Sequence, residues 1–437
     1  MKRRTLRPGG SWLIAPWSRW RARRREGTHL LIVTVIASLG ICLASWPTDR
    51  PWYWGTRLGG ALGLGLLGLH CLLCLTGFSG DEALLPLCGY LCALSLIILT
   101  RKSLPLALRQ LRWILLGLGL IPWAALPRRW TTLAEYRYLA GVVGFALLLF
   151  TALFGKEQGG ARLWLAVGGG QFQPGELVRL LLGVFLAAIF SENAELFAHP
   201  TARVGPVDIP EPRYLVPLLI MLVLFVFVLV VQKDLGSALL YYSLFMCIGF
   251  AATGQMGYLV LPGILGCIGG SLALAAFPHV RTRFDIWLDP WTSALGPGYQ
   301  IVQSMFALAN GGWFGLGLGK GYAHLIPAVY TDLPLTILGE ELGFAGLLAA
   351  LAGQFLLAGR GLAISHRCGQ EFLRLLGISI AVGWWISTFL ATGGMLRLVP
   401  LTGLVTPFVS YGGTAMVSNL FCLGLLLNIS RQELWQT

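Results

Sequence analysis

Residues 214–254 read YLVPLLIMLVLFVFVLVVQKDLGSALLYYSLFMCIGFAATG, and they decide the fold class. Two apolar runs in this stretch, 214–232 and 235–254, adjoin at the polar residues Gln232, Lys233 and Asp234. Each run is long enough to cross the ~30 Å hydrocarbon core of a bilayer as an α-helix. The stretch therefore predicts two consecutive membrane-spanning helices joined by a tight polar turn.

The composition extends this prediction to the whole chain. Of its 437 residues, 56% are hydrophobic and 12% are charged, whereas soluble domains average about 45–50% apolar and about 25% charged residues. The charged fraction is too low for a soluble enzyme of this size, and the apolar fraction is too high for a disordered chain. Long unbroken apolar runs also exclude a transmembrane barrel, whose strands alternate apolar and polar residues. We expect an all-α polytopic membrane protein.

The apolar runs predict about twelve transmembrane helices. They fall at 29–46, 58–78, 82–100, 111–126, 138–155, 176–197, 214–232, 235–254, 258–277, 333–359, 372–395 and 412–430.

The first 25 residues contain nine Lys or Arg and no acidic residue. Positive charge next to the first span predicts a cytoplasmic N-terminus, and an even number of spans places the C-terminus on the same side. We expect a basic cytoplasmic tail at 1–27, a membrane hairpin at 28–80 and the main transmembrane region at 81–432. The basic connection 101–112 falls outside in this topology, and an interfacial helix there would explain its charges.

The longest predicted connection, residues 278–331, lies on the outer face in this topology. It contains arginines, tryptophans and a Gly-rich run from Gly311 to Gly321. The run lacks the Ser or Thr that follows the lysine of a phosphate-binding loop, so we expect a backbone pressed close to another segment. Because long loops tend to be functional, chemistry is expected here.

Charged residues within apolar spans require a reason, since each costs at least ~2.5–3.5 kcal/mol on insertion scales. Glu176 and Arg179 are three residues apart and can pair on one helix face, either as a neutralised structural pair or as the lining of a cavity. Asp234 is expected to cap the helix that it precedes.

Three further acids lie near the end of the long connection. Glu340 and Glu341 can cap or join helices, and a functional role remains open. Asp332 lies where the loop meets the next span, between Pro327 and Pro334. A carboxylate at such a junction could accept a proton from a sugar hydroxyl.

A second segment is expected to be non-helical at membrane depth. It contains PLTGLVTPF, whose prolines prevent a continuous helix, followed by SYGGT at 410–414. Such backbone is tolerated only when it is buried in protein or lines a water-filled cavity.

Six separated strings agree with one family. In order they are FQPGELVRL, QKDLGSAL, FDIWLDP, GPGYQIVQSMFALANGGWFGLGLGKG, TDLPLTILGEELGFAG and PLTGLVTPFVSYGG. With them the chain resembles the SEDS polymerases, the FtsW, RodA and SpoVE group, from about residue 82 to the C-terminus. The resemblance implies a ten-helix core at 81–432, to which the hairpin at 28–80 is an addition.

The resemblance implies a peptidoglycan glycosyltransferase of the cell membrane. Its substrate would be lipid II, polymerised outside the cell into β-1,4 glycan by one inverting displacement. Asp332 matches the family's essential aspartate and would be the general base. Glu176 and Arg179 match the acid and base that line the family's central cavity.

The other expected site residues bind substrate. Arg281 and Arg283 could stabilise the charge on the leaving diphosphate. The remainder come from the matching strings and are Gln300, Ser304, Glu340, Ser410 and Tyr411. No cofactor is certain, although a divalent cation, Mg²⁺ or Mn²⁺, could assist the leaving group.

The implied partners are lipid II, the nascent glycan, membrane lipid and a class B penicillin-binding protein, and no nucleic acid. The alternatives are a lipid II flippase and a non-catalytic scaffold of the cell-wall complex. A role in division, elongation or sporulation is left open. Lys233, Ala328 and Tyr330 depart from the family pattern near the expected site.

Overall fold

The structure, a computed structural model, describes residues 23–46, 51–127, 130–158, 161–167, 170–198, 200–204, 207–322 and 325–433. Most of the predicted basic tail, residues 1–22, lies outside the described residues. The helices are α1 (Arg24–Ser45), α2 (Tyr53–Leu75), α3 (Leu84–Lys102), α4 (Leu104–Ala125), α5 (Arg137–Phe154), α6 (Gly175–Glu192), α7 (Ala194–Ala198), α8 (Pro212–Val231), α9 (Leu235–Thr253), α10 (Gly257–Ala276), α11 (Pro278–Leu288), α12 (Tyr299–Gly311), α13 (Val329–Asp332), α14 (Pro334–Glu341), α15 (Gly343–Arg367), α16 (Glu371–Met395) and α17 (Gly413–Glu433). The strands are β1 (Lys156–Gln158), β2 (Ala161–Val167), β3 (Gly170–Phe172), β4 (Pro200–Val204) and β5 (Val207–Pro210).

Helices dominate the fold, as the apolar runs predict. Within the described ranges, ten helices are long and apolar enough to cross a membrane, and α8 adds a shorter apolar segment. Helix α6 spans 18 residues but carries three charged side chains. The polytopic helical architecture is therefore confirmed, and the count of twelve spans stays a prediction.

The N-terminal hairpin packs tightly because one face of α2 consists of glycines. Gly55, Gly59 and Gly63 lie four residues apart, and a Cβ at any of them would come within 2.3 Å of a side-chain atom of α1. Small residues at this spacing let membrane helices approach closely. The hairpin then packs against α3 and α4.

Helix α1 begins at Arg24, five residues before the predicted start at 29. The extra turn is stabilised by a buried ionic group. Glu26 pairs with Arg23 and with His70 of α2, where the Oε1–Nδ1 distance is 2.7 Å. This pairing removes the cost of an isolated buried carboxylate.

The core of the protein is formed by α3, α16 and α17, which are the most enclosed of the long helices. Helix α16 packs against α6, α9 and α15, and α17 packs along α4. Two small antiparallel sheets, β1-β2-β3 and β4-β5, lie in the connections α5–α6 and α7–α8.

The expectation of a separate interfacial helix at 101–112 is wrong. Helix α3 ends at Lys102 and α4 begins at Leu104, so only Ser103 connects them. The Ser103 hydroxyl caps α4 by accepting a hydrogen bond from the Leu106 N–H at 3.2 Å. The span predicted at 111–126 therefore begins seven residues earlier.

The prediction of one continuous span at 333–359 is also wrong, because α14 ends at Glu341 and α15 begins at Gly343. Gly343 has a φ of 70°, and a Cβ there would lie 2.4 Å from the Gly315 nitrogen. The Gly-rich segment 311–321 hydrogen bonds to this junction, with Leu316 N–H donating to the Glu340 carbonyl at 3.0 Å. The prediction that this glycine run lies against another segment is confirmed.

Candidate active site

Asp332 ends the single-turn helix α13, between the long connection 278–331 and the α14–α15 junction. The turn follows Ala328, whose φ of 49° lies in the left-handed region. The Ala328 carbonyl accepts hydrogen bonds from the Asp332 N–H at 3.0 Å and from the Thr331 hydroxyl at 2.9 Å. A positive φ is uncommon outside glycine, so the surrounding structure must hold this turn in place.

The 396–412 connection between α16 and α17 provides that support. Ser410 Oγ donates to the Thr331 carbonyl at 2.6 Å, and Tyr411 N–H donates to the Tyr330 carbonyl at 2.8 Å. On the other side, the Lys102 ammonium lies 4.7 Å from the centroid of the Tyr330 ring. Two hydrogen bonds and a cation–π contact therefore fix the backbone immediately before Asp332.

The supporting turn is itself held by Gln110 of α4, which is fully buried. Gln110 Nε2 donates to the Ser410 carbonyl at 3.2 Å, and Gln110 Oε1 lies 3.5 Å from the donating Gly412 N–H. The Ser410 hydroxyl also accepts from the Thr406 N–H at 2.8 Å. The polar contacts run from α4 through the turn at 410–412 to the helix that carries Asp332.

The surroundings of Asp332 shift the proton affinity of its carboxyl group. Burial raises the pKa of its carboxyl group, while hydrogen bonds from Thr331 and Gln300 and the charge of Arg283 lower it, and the net shift is upward. The contact from Gln300 is a weak one, because its buried Nε2 atom meets no acceptor at the distance and angles of a regular hydrogen bond. A raised pKa makes the carboxylate a stronger proton acceptor.

Arg283 is positioned by the backbone of the 396–412 connection. Its Nη1 atom donates to the Leu401 carbonyl at 3.1 Å and to the Thr402 carbonyl at 2.8 Å. Burial lowers the pKa of Arg283, whereas Asp234 and Asp332 raise it. Arg281 is exposed and lies about 200° around the helix from Arg283, so the two predicted arginines do not share a face.

The two glutamates after Asp332 hold the Gly-rich segment. Glu341 Oε2 accepts from the Gly319 N–H at 2.7 Å, and its Oε1 accepts from Arg101 Nε at 3.1 Å. Glu340 Oε2 accepts from the Tyr322 N–H at 2.9 Å. Arg101 and Lys102, at the α3–α4 connection, therefore have acidic and aromatic partners between Gly311 and Glu341.

Ser304 and Glu340 are both buried. Ser304 Oγ lies 2.8 Å from the Thr336 hydroxyl, between α12 and α14. This burial and hydrogen bonding indicate that both side chains stabilise the packing of α12, α14 and the Gly-rich segment, and their predicted contacts with substrate stay predictions.

A cavity of about 510 Å³ lies between α4, α6, α17 and β3. Its walls are mostly apolar, and its polar lining comes from Glu176, Ser418, Thr414 and two glutamines. The full lining is Trp113, Leu116, Leu120, Gln171, Phe172, Gln173, Glu176, Leu177, Leu180, Thr414, Val417, Ser418 and Phe421. A cavity of this size is typical of small-molecule sites.

Glu176 and Arg179 form the pair that their spacing predicts, with 3.1 Å between Oε2 and Nη2. Arg179 also donates to Asn419 Oδ1 at 2.7 Å, and the Trp384 indole donates to the same oxygen at 2.7 Å. Glu176 lines the cavity, whereas Arg179 is enclosed behind it. The pair therefore combines the two roles that the sequence left open.

The structure thus gathers Asp332, Arg283, Gln300, Ser410 and Tyr411 into one region. The pair at 176 and 179 belongs to the cavity, whose lining residue Thr414 is three residues from Tyr411. The expected cap at Asp234 is confirmed, since Oδ1 accepts from the Ser237 N–H at 3.0 Å.

Sequence reasoning missed Gln110 and Lys102 as supports of the site. Gln110 precedes the predicted span at 111–126 by one residue and so counted as part of a loop. Its signal was an amide followed by an apolar run, which indicates a hydrogen bond between helices.

No group of three or more His, Cys, Asp or Glu side chains able to hold a metal ion occurs in the described part of the chain. The neighbours that act on Asp332 are a guanidinium, an amide and a hydroxyl, which do not form a set of ligands for Mg²⁺ or Mn²⁺. Any divalent cation would take most of its ligands from the substrate, so its involvement stays a proposal.

Comparison with known proteins gives the family. The sequence profile described as "Cell cycle protein", which covers FtsW, RodA and SpoVE, matches residues 83–434. The chain belongs to this family, the SEDS family. The matched range begins one residue before α3, so the α1–α2 hairpin of this SEDS protein precedes it.

Curated relatives cover most of the chain. It is 34% identical over 424 residues to the "Peptidoglycan glycosyltransferase RodA" of Mycobacterium leprae, covering 93% of this chain and 90% of the relative. It is 30% identical over 312 residues to the "Probable peptidoglycan glycosyltransferase FtsW" of Bacillus subtilis, covering 68% of this chain and 74% of the relative.

Solved structures agree with the fold. One chain reported under "Structural coordination of polymerization and crosslinking by a peptidoglycan synthase complex" is similar with a TM-score of 0.66 and 28% identity, covering 81% of this chain and 98% of that chain. The rod shape determining protein RodA of Thermus thermophilus is similar with a TM-score of 0.56 and 26% identity, covering 81% of this chain and 97% of that chain.

Proposed function

We propose that this SEDS protein is a peptidoglycan glycosyltransferase that polymerises lipid II at the outer face of the cell membrane, in cell elongation or division. The names of the relatives from Mycobacterium leprae and Bacillus subtilis support the glycosyltransferase activity. The observation that carries the proposal is the arrangement at Asp332, a partly exposed carboxyl with a raised pKa beside the anchored Arg283.

Asp332 would act as the general base. The acceptor sugar hydroxyl gives its proton to the Asp332 carboxylate as its oxygen bonds to the anomeric carbon of the donor. The bond between that carbon and the diphosphate oxygen breaks in the same displacement, so an α-linked donor yields a β-linked product. The hydrogen bonds from Ser410 and Tyr411 would hold the base in place while the proton moves.

The leaving diphosphate develops negative charge and needs a cation nearby. Arg283 is held by two carbonyl groups rather than by a carboxylate within ion-pair distance in the described residues. Its charge is therefore available to the leaving group, and its fixed position requires little reorganisation during the reaction. A good phosphate leaving group does not need the second acid that a glycosidase uses.

The cavity beside α4, α6 and α17 would hold part of the polyprenyl chain of a substrate. Its apolar wall contains Trp113, Leu116 and Phe421, and Glu176 lies on its polar side. The cavity and the proposed base share the segment 410–414. A lipid held against Thr414 would therefore lie next to the turn that supports Asp332.

The proposed topology places both termini in the cytoplasm. The basic outer connection that conflicted with this topology has local partners, because Arg101 contacts Glu341 and Lys102 contacts Tyr330. Positive charges with such partners need not face the cytoplasm. The topology puts Asp332 and Arg283 on the outer side, where peptidoglycan is assembled.

A class B penicillin-binding protein is the proposed partner. The similar structure comes from a complex whose description combines polymerisation with crosslinking. Co-purification of tagged full-length protein from its native membrane would test this, and absence of a transpeptidase would contradict it.

The deciding experiment uses the purified full chain in detergent with lipid II and follows glycan products on gels. We expect glycan from the wild type and none from Asp332→Asn. Asp285→Asn removes an exposed aspartate of α11 and should retain activity. A wild type without polymerase activity would contradict the proposal and favour the flippase, and an active Asp332→Asn would remove the assigned base.

A further inference from the structure

We propose that Lys233, His279 and Arg283 form a binding site for the diphosphate group of a polyprenyl-linked substrate. This inference rests on the proposed function and deepens it, because it adds two residues to Arg283 and identifies the group that they bind. The three side chains come from the α8–α9 turn and from α11, which adjoin at one end of the helical bundle.

The α8–α9 turn holds Lys233 in an unusual conformation. Lys233 has a φ of 65°, in the left-handed region that non-glycine residues rarely adopt. Its N–H donates to the Val230 carbonyl at 3.0 Å, and the next N–H, from Asp234, donates to the Leu229 carbonyl at 2.9 Å. These two bonds form the C-cap of α8, at a position that glycine usually occupies, and they fix the backbone from which the Lys233 side chain extends.

Helix α11 brings His279 to the same turn. Its imidazole interacts with the Val230 carbonyl, which also accepts from Lys233, and it is close enough for the positive charges of Arg283 and Lys233 to act on it. His279 and Arg283 are four residues apart and share one face of the helix. The turn and this helix face therefore converge on one small region.

A nitrogen without a hydrogen-bond partner marks the region as a candidate ligand site. His279 Nε2 is buried, and it has no hydrogen-bond partner. A buried polar atom without a partner is costly, and such atoms are uncommon in native proteins. When the imidazole is protonated, Nε2–H would donate to an anionic oxygen at this position, and the two neighbouring cations would stabilise that oxygen.

The cations have no carboxylate at ion-pair distance in the part of the chain that the structure describes, and the charges of Asp234 and Asp332 act on Arg283 from farther away. Asp234 is the nearest acid in sequence, but its two oxygens accept from the Ser237 N–H at 3.0 Å and the Ser237 hydroxyl at 2.7 Å. Arg283 donates to backbone carbonyls. The cluster therefore retains positive charge that a ligand can use.

A diphosphate fits this arrangement better than a single anionic group. The charges of Asp332 and Asp234 both act on Arg283, so Arg283 is near the proposed base as well as near the α8–α9 turn. A donor with its anomeric carbon near Asp332 would extend its two phosphates along Arg283 toward His279 and Lys233. Burial and the charges of Arg283 and Lys233 lower the pKa of His279, and a bound anion would reverse this effect and favour proton uptake.

The test is isothermal titration calorimetry of the purified full chain with inorganic pyrophosphate. The buffer contains EDTA, which chelates divalent metal ions that would otherwise bind the pyrophosphate. We expect Lys233→Gln and His279→Phe each to weaken binding about tenfold, as for loss of a charge-assisted hydrogen bond. His279→Phe keeps a ring beside Phe277. Lys156→Gln removes an exposed lysine of β1 and should bind as the wild type does, and melting temperatures establish that each variant is folded.

Two further arms identify the anion. Inorganic phosphate should bind more weakly than pyrophosphate. With the protein in nanodiscs, pyrophosphate should still bind when the anionic lipid phosphatidylglycerol replaces phosphatidylcholine, because a lipid headgroup should not compete for the site. Equal affinities for the two anions, loss of binding in phosphatidylglycerol, or folded variants with wild-type affinity would overturn the site. Polymerisation of lipid II is measured separately, so the site and the proposed function can fail independently.

Discussion

The Ser410 hydroxyl donates a 2.6 Å hydrogen bond to the Thr331 carbonyl, across 79 positions of sequence. Thr331 immediately precedes Asp332, so this bond ties the proposed base to the connection between α16 and α17. The same hydroxyl accepts from the Thr406 N–H at 2.8 Å. One side chain therefore links a single-turn helix to a non-helical segment, neither of which has the long hydrogen-bond ladder of a regular element.

Ser410→Ala should lower turnover more than it lowers stability. The substitution leaves a partly buried carbonyl and an N–H without their partner, which costs about 1–3 kcal/mol of unfolding free energy. Because Asp332 then samples more positions, kcat should fall while the KM for lipid II changes little. Steady-state kinetics and thermal unfolding measure the two effects.

Ser271→Ala is the matched control for this variant. Ser271 makes a hydrogen bond to the Cys267 carbonyl within the exposed helix α10, so its loss should leave kinetics unchanged. A Ser410→Ala protein with wild-type kcat would show that the hydrogen bond does not position the base.

Gln110 should behave as a second positioning residue. Gln110→Leu removes both the donor to the Ser410 carbonyl and the acceptor for the Gly412 N–H, while Gln110→Glu retains an acceptor. We expect kcat to fall further in Gln110→Leu than in Gln110→Glu. In combination with Ser410→Ala, the loss should be smaller than the sum of the single effects, because both act through one turn. Fully additive losses of kcat would contradict the claim that Gln110 and Ser410 act through the same turn.

The sequence predicts the membrane class and the chemical identity of the site, because those depend on residue type. Apolar runs report membrane helices directly, and the Asp234 cap depends on neighbouring residues only. The proposed role of Asp332 comes from its position between two prolines and from the matching family string. None of these inferences requires knowledge of how distant segments meet.

The supports of the site could not be found in this way, because they join residues far apart in sequence. Arg101 and Glu341 are separated by 240 positions, and each alone is an unexplained charge in an apolar context. The break before Gly343 was missed for the same reason, since an apolar run does not reveal that a distant glycine backbone hydrogen bonds across it. Contacts between residues that are distant in sequence determine both the Arg101–Glu341 ion pair and the helix break before Gly343.

The contact between Arg101 and Glu341 should stabilise the Gly-rich segment. Arg101→Gln leaves the buried Glu341 carboxylate without its cation and should cost about 1–3 kcal/mol of unfolding free energy. Glu341→Gln should cost less, because the neutral amide oxygen can still accept from the Gly319 N–H. The double variant should recover part of the loss of Arg101→Gln.

Trypsin cleavage after the exposed Lys320 reports the same effect locally. Cleavage should be faster in Arg101→Gln than in the wild type, and Arg112→Gln, which changes an exposed arginine of α4, should cleave at the wild-type rate. If Arg101→Gln were as stable and as protected as the wild type, the contact would have no role in holding the segment.

The pH dependence of turnover should follow Asp332. Burial raises the pKa of its carboxyl above the ordinary value of 3.8. The value of kcat at saturating lipid II should therefore fall as the pH is lowered through this raised pKa, because the base becomes protonated.

Arg283 lowers the pKa of Asp332 by favouring the charged carboxylate. Arg283→Gln should therefore move the acid limb to higher pH, in addition to any loss in rate. Arg162→Gln, an exposed change on β2, should leave the limb in place. A limb that moves to lower pH in Arg283→Gln would contradict the electrostatic coupling of these two residues, whereas an unchanged limb would mean that another group controls the acid side.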